Sequence, residues 1–457
     1  MEHLFQLRRG FQSAPHYRQP WRATASALAL AWLISIPVLI AAPAKLRLVG
    51  DWEVEVTLPT THAAPHNIMA KLSVEPPKLV EVVSEPNESL AEWISAQPGW
   101  ARKKLPATED GMCSACFALV PGSVKVSSIG ATPRQFKLDK DFQVDWEWGA
   151  IGRVSGGDIG STQAVSVSCQ FMQRRLDSIV LNTNDELVVR KGKPHIAIPL
   201  PPELRPGEER VANLWLPAHL KKLTGANLFP ILETSYPESP KTSPSAAERL
   251  LPKTMAKLHN GEPLKTLAWG DSVTAGYLGG DQWQAQFVRR LEARFPKANL
   301  QLVTIGWGAH TSQDFLNAPP GHPCNYSTSV LAVKPDLVVS EFANDCTLDP
   351  ALVERNYEKF LADFQHIGAE WIILTPHLNT FMGLSTERGF EECPQPYVPM
   401  VRRFAHEHDV ALADATVRYV HLWRQGIPYS TLMINAVNHP DVRGMAIFAD
   451  SLMELFP

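Results

Sequence analysis

Apolar and polar residues change rhythm along this chain. From residue 46 to about 230 they alternate. Trp52, Val54, Val56 and Leu58 interleave with Glu53, Glu55 and Thr57. Phe142, Val144, Trp146 and Trp148 interleave with Gln143, Asp145 and Glu147, and Val165, Val167 and Cys169 repeat the pattern. A period of two turns one face to a core and the other to water, so these runs predict half-buried antiparallel strands. Asn184 and Asp185 predict a turn between apolar stretches. Residues 46–232 are therefore expected to form a β-rich accessory domain, with a jelly-roll type of β-sandwich as its arrangement.

Residues 234–247 (TSYPESPKTSPSAA) interrupt this rhythm. Their Pro, Ser and Thr content predicts a linker over 233–248. Beyond it, short apolar strands are expected at 264–269, 300–305, 336–342, 371–376 and 410–413. Between them lie helical patterns at 281–295, 350–366, 397–408 and 443–455, the first with Trp283, Phe287, Val288 and Leu291 on one face. Strands alternating with helices predict a parallel sheet covered on both faces over 249–457. Sites in such sheets form at the carboxyl ends of the strands.

The first residues bear on compartment. Residues 24–42 (TASALALAWLISIPVLIAA) carry no charge and follow Arg8, Arg9, Arg18 and Arg22. The run is about long enough for a bilayer core of roughly 30 Å. The arginines predict a cytoplasmic tail at 1–23 and export of everything after Lys45. Ala42-Pro43-Ala44 offers a cleavage site, so residues 24–43 are expected to be a single-pass transmembrane anchor or a removed signal segment. An anchored chain would sit in the cell envelope with its bulk extracytoplasmic, and a cleaved one would be secreted.

Composition narrows the function. Lys plus Arg is 43 and Asp plus Glu 47, a net charge of −4, so there is no basic excess for nucleic acid. Apolar residues are 45% of 457, enough for real cores, and disorder throughout is excluded. Six cysteines are too few for a disulfide scaffold.

Four blocks carry chemistry. The 264–269 strand runs into Gly270-Asp271-Ser272, which exposes a serine at the sheet edge where a nucleophile is needed. The next strand ends in Gly306-Trp307-Gly308, whose backbone N–H groups can face a ligand. The third ends in Glu341-Phe342-Ala343-Asn344-Asp345, and an Asn there can donate to a developing oxyanion. Before the last helix comes Asn438-His439-Pro440-Asp441, with a histidine in reach of the same edge.

In order and spacing, over residues 258–456, these blocks resemble the SGNH (GDSL-type) hydrolase superfamily, and so do flanking stretches such as KPDLVVSEFANDC and NHPDVRGMAIFADSL. The resemblance implies a flavodoxin-like parallel sheet and a serine esterase without metal or organic cofactor. It implies Ser272 as nucleophile and His439 as general base. It further implies the Ser272 N–H, Gly308 and Asn344 as oxyanion-hole donors. It also implies that a β-rich domain in front often helps hold carbohydrate. Two positions depart from the pattern: Ala343 stands where the family usually has Gly, and Ala436 where it often has the Asp that holds the histidine. The amide oxygen of Asn435, or a main-chain carbonyl, is then the expected acceptor for the Nδ1–H of His439. Asp441 is expected to serve the helix start, with a role as the missing third member as its alternative.

The expected activity is removal of short acyl groups, acetyl first, from a carbohydrate or similar polar ester. An O-acyltransferase acting on an exported polysaccharide would use the same residues, and a non-catalytic carbohydrate-binding envelope protein is the rival from another class. Cys113 and Cys116 are expected to be a small-loop disulfide or two free thiols. Cys324, Cys346 and Cys393 all fall on loops at the upper sheet edge, where two could pair. Of Trp93, Trp100, Trp146, Trp148 and Trp215, one or two could stack on sugar, with the rest in the core.

Overall fold

The computed structural model describes residues 43–59, 67–111, 113–114, 116–378 and 397–457. Residues 24–42 of the expected anchor or signal segment lie outside them. Among the described residues no helix is long and apolar enough to cross a membrane.

The C-terminal half holds a five-stranded parallel sheet. In chain order its strands are Pro263–Gly270, Asn299–Gly306, Leu337–Glu341, Glu370–Leu374 and Ala411–Ala413. In space the order is second, first, third, fourth, fifth. This is the flavodoxin-like doubly wound order, whose switch point lies beside the first strand. Helices Trp283–Arg294, Pro350–Ile367, Tyr397–Glu407 and Val442–Glu454 connect and cover the strands. One apolar cluster packs Phe287, Leu291, Phe448 and Leu452 against one face. The other face is aromatic, with fully buried Trp269 within 6.1 Å of the rings of Phe315, Phe342, Phe360 and Phe364. Truncating such a tryptophan to alanine typically costs about 3–5 kcal/mol.

The N-terminal region is β-rich, but it is not a jelly roll. Strands Lys45–Gly50, Glu53–Leu58 and Ile68–Ser73 form one antiparallel sheet. Four strands, with Arg175–Leu181 and Glu209–Leu216 at the centre, form another, and the two share a core of Val54, Val56, Ile179 and Leu214. A third sheet pairs Leu79–Asn87 and Lys125–Ser128 with Val165–Met172 over a core of its own. Pairings inside residues 88–164 involve strands of only two to four residues. At about 3.3 Å per residue these cannot span a sandwich.

The alternation through Trp148 also ends early. The strand stops at Asp145, and the chain turns over Trp146 to Gly149. The Oδ1 of Asp145 accepts from the Trp148 N–H at 2.9 Å, and Gly149 takes the left-handed φ of +62° that the turn requires.

Residues 233–245 have no regular structure, yet they do not hang free as a linker would. Glu238 pairs with Arg418, whose guanidinium lies 4.2 Å from the Tyr236 ring centroid. The Lys241 ammonium donates to the Phe456 carbonyl at 2.8 Å. These contacts strap the stretch onto the C-terminal domain.

Candidate active site

The site lies at the carboxyl ends of the parallel strands. Gly270 ends the first, and a Cβ there would lie 2.1 Å from the Glu341 carbonyl oxygen on the neighbouring strand. A side chain would therefore push the two strand ends apart. Asp271 follows as the cap of a short helix, Ser272–Ala275. Its Oδ1 accepts from the Val273 N–H at 2.9 Å and its Oδ2 from the Asn344 N–H at 2.8 Å. One fully buried carboxyl thus joins the Gly-Asp-Ser block to the Asn344 block. Burial raises its pKa, and the hydrogen bonds from Val273, Asn344 and Ala343 oppose that rise.

Ser272 and His439 are 167 residues apart in the chain, yet the His439 Nε2 lies 3.0 Å from the Ser272 Oγ. Both line a cavity of about 580 Å³ with Gly308, Ala309 and Asn344. Gly308 is close enough that a Cβ on it would sit 3.6 Å from the Ser272 Cβ. Ala309 carries a left-handed φ of +62°, which turns this loop beneath the cavity. The Asn344 amide donates to the His310 carbonyl at 3.2 Å. His310 in turn stacks on Trp307 at 3.8 Å.

The histidine's support differs from the sequence expectation. The Asn435 Oδ1 accepts the N–H groups of Val437, Asn438 and His439, at 3.0, 2.9 and 3.0 Å. That leaves the amide nitrogen to face His439, and Asn435 Nδ2 lies 3.1 Å from the His439 Nδ1 and 2.8 Å from the Asn438 Oδ1. Asn435 is therefore a donor to Nδ1 and not the expected acceptor. The physical reason is the tight loop, whose three converging N–H groups claim the only acceptor atom of the amide. A neutral imidazole that accepts at Nδ1 carries its proton on Nε2 and donates it to Ser272. Burial lowers the His439 pKa to about 4.

Asp441 does not approach the ring as a third member. Its Oδ1 accepts from the Arg443 and Gly444 N–H groups at 2.9 and 3.1 Å, capping Val442–Glu454, and its Oδ2 pairs with Arg443. Ala436 occupies its loop position with a φ of +60°.

Sequence reasoning missed several contributors. The Tyr277 hydroxyl donates to the Pro440 carbonyl at 2.9 Å, and its ring lies 5.0 Å from that of His439. Its place five residues after Ser272, just past the motif, was a usable signal. The β-rich domain also reaches the site. The Ser114 N–H donates to the Ile434 carbonyl at 2.9 Å, and Cys113, Cys116, Phe171 and Ile196 share an apolar cluster with Ile434, Ala436 and Val437. The domain thus packs on the loop that carries His439. Ser114 lines the catalytic cavity itself, together with Trp100 and Trp148, two of the five tryptophans the sequence offered for stacking on sugar.

Cys113 and Cys116 are free thiols, the second of the two outcomes open for them, and burial pushes them up to about 11 and about 12. Cys324 and Cys346 are free as well, and Cys393 lies outside the described residues. Among the described residues no group of three or more His, Cys, Asp and Glu side chains could hold a metal ion.

A serine against a histidine at the edge of a doubly wound parallel sheet sets a nucleophile beside its base. Residues 268–447 match the GDSL-like Lipase/Acylhydrolase family, and the β-rich domain precedes the matched stretch. No curated protein matches the chain. Solved structures similar to it include a two-domain esterase active on acetylated mannans, at 20% identity and TM-score 0.36, covering 44% of this chain and 51% of that one. Another is an acetyl xylan esterase from Geobacillus stearothermophilus, at 21% identity and TM-score 0.33, covering 42% of this chain and 94% of that one. A third, a hydrolase from the metagenome of Lake Arreo in Spain, has 21% identity and TM-score 0.34, covering 42% of this chain and 93% of that one. The chain spans about half the length of the mannan esterase.

Proposed function

We propose that the protein removes short acyl groups, acetyl first, from a carbohydrate or similar polar ester, with Ser272 as nucleophile and His439 as base. The observation that carries this reading is the 3.0 Å approach of the His439 Nε2 to the Ser272 Oγ inside the cavity. Ser272 attacks the acyl carbonyl as its hydroxyl proton passes to the His439 Nε2, and the Ser272 N–H, the Gly308 backbone and the Asn344 amide receive the charge that develops on the carbonyl oxygen. His439 then returns the proton to the departing alcohol, and water repeats the sequence on the acyl-enzyme.

Attack needs a bare Nε2, so the imidazole proton must sit on Nδ1. Asn435 presents a donor to that atom at rest. Its amide must turn aside before His439 can act as a base, which predicts a modest rate. The cavity volume falls within the roughly 300–1,000 Å³ usual for small-ligand sites. Its polar lining of Ser114, Asn344, Asn435 and Asn438 suits a polar ester. Export of the chain is part of the same proposal and rests on Arg8, Arg9, Arg18 and Arg22 before the apolar run.

The test is fluorophosphonate labelling together with turnover of aryl acetate and aryl butyrate. Ser272→Ala should abolish labelling and lower turnover by at least about 10³-fold in a folded protein. Turnover near that of the unmodified protein would refute the mechanism. Labelling of Ser272 without hydrolysis of any ester would instead point to acyl transfer.

A further inference from the structure

The catalytic cavity has one wall that the esterase domain does not supply. Trp100 and Trp148, both from the β-rich domain, line it beside Ser272 and His439. Trp100 is 58% exposed, so packing does not account for its large apolar ring. The segment Gly99–Ala101, which carries Trp100, is fastened to the turn that carries Trp148. Arg102 pairs with Asp145 at 2.7 Å, with both side chains at most 14% exposed. The buried Lys104 ammonium donates to the Gly99 and Arg102 carbonyls at 2.5 and 3.2 Å. The same ammonium lies 5.4 Å from the centroid of the Trp148 ring. The Trp148 ring and the backbone that carries Trp100 are thus set in place before any ligand arrives, which lowers the cost of binding.

Their position relative to the reacting atoms decides which half of an ester they meet. Trp148 packs with Ile434, Ala436 and Val437, the loop of His439, whereas Gly308 and Asn344 belong to the loops after other strands. When the bond between the acyl carbon and the alcohol oxygen breaks, that oxygen takes the proton from the His439 Nε2. The alcohol half therefore leaves on the histidine side, beside Trp148.

We infer that Trp100 and Trp148 form the alcohol-side subsite and that its occupant is the pyranose ring bearing the scissile ester. A pyranose has an apolar C–H face and a hydroxyl rim. Indole faces suit the first, and the Asn438 amide nitrogen and the Ser114 hydroxyl at the cavity wall suit the second. This rests on the esterase reading above and adds the ring, the side and the residues.

The test compares two acetates in the full chain, glucose pentaacetate and ethyl acetate, which share the acyl group and differ in the ring. Trp100→Ala and Trp148→Ala should each raise KM for glucose pentaacetate at least about fivefold more than for ethyl acetate. Trp148→Phe, which keeps a ring and most of the packing, should recover at least half of that loss. Equal losses on both esters in folded variants would overturn the subsite. Wild-type turnover of ethyl acetate with none of glucose pentaacetate would also overturn it and leave the esterase reading intact. Turnover of neither ester, with no fluorophosphonate label on Ser272, would defeat the esterase reading and the subsite together.

Discussion

Asn435→Asp should make this enzyme faster. The Asn435 amide oxygen already holds three loop N–H groups, at 2.9 to 3.0 Å, and one carboxylate oxygen can keep all three. The second carboxylate oxygen would replace the nitrogen that now lies 3.1 Å from the His439 Nδ1. An acceptor there moves the imidazole proton onto Nδ1 and leaves Nε2 bare, 3.0 Å from the Ser272 Oγ. Asn438 must turn its amide over to meet the new oxygen, since its Oδ1 now accepts from Asn435. A hydrogen bond to a charged group contributes about 1.5–3 kcal/mol. At about 1.4 kcal/mol per tenfold change, that raises the His439 pKa by about one to two units and turnover by about 10- to 100-fold. The assay is kcat for an aryl acetate across pH. A base works only when unprotonated, so activity of the unmodified enzyme should fall only as pH drops toward about 4, where burial holds His439. In the variant that acid limb should move up by about one to two units. A folded Asn435→Asp protein with unchanged or lower kcat and an unmoved acid limb would refute the tautomer argument.

Other outcomes follow from neighbouring groups. Burial pushes Asp345 up to about 7, and its Oδ2 has no partner. A carboxyl with a raised folded pKa holds its proton longer in the folded state. Its contribution is therefore fully present below pH 3.8, the ordinary value, and is lost as pH rises through about 7. Thermal melts of Asp345→Asn should show a smaller loss of Tm between pH 5 and 8 than the unmodified protein, and an identical loss would exclude Asp345 as the source. Asp441→Asn should keep turnover within about tenfold, because an Asn retains the cap and loses only the Arg443 pair. A loss as large as that of His439→Ala in a folded protein would make Asp441 the third catalytic member. Alkaline phosphatase fused after residue 230 should be active if the arginine-flanked run directs export, and an inactive fusion beside an active cytoplasmic reporter would reverse that topology.

Much of the C-terminal domain was legible from rhythm alone. Its five strands lie where short apolar runs alternate with helical faces, because burial on both sides of a parallel sheet requires continuous apolar residues. The four blocks stood at strand ends and a helix start, which is where backbone geometry exposes side chains. Sequence also separated the β-rich region, since a period of two survives any particular pairing of strands. What it could not supply were relations between distant parts. Trp148 read as the end of an alternating strand, and only the Asp145 cap and the left-handed Gly149 turn it into the cavity. The supposed linker proved anchored, because Arg418 and the Phe456 carbonyl, its partners, lie about 200 residues away in the chain. The two ends of the Asn435 amide are equivalent in a sequence. Three converging N–H groups decide which end His439 meets, and with it the atom that carries the proton. Residue types and their spacing thus determined the class of chemistry. The wall that meets the alcohol and the tautomer of the histidine depend on contacts that exist only once the chain has folded.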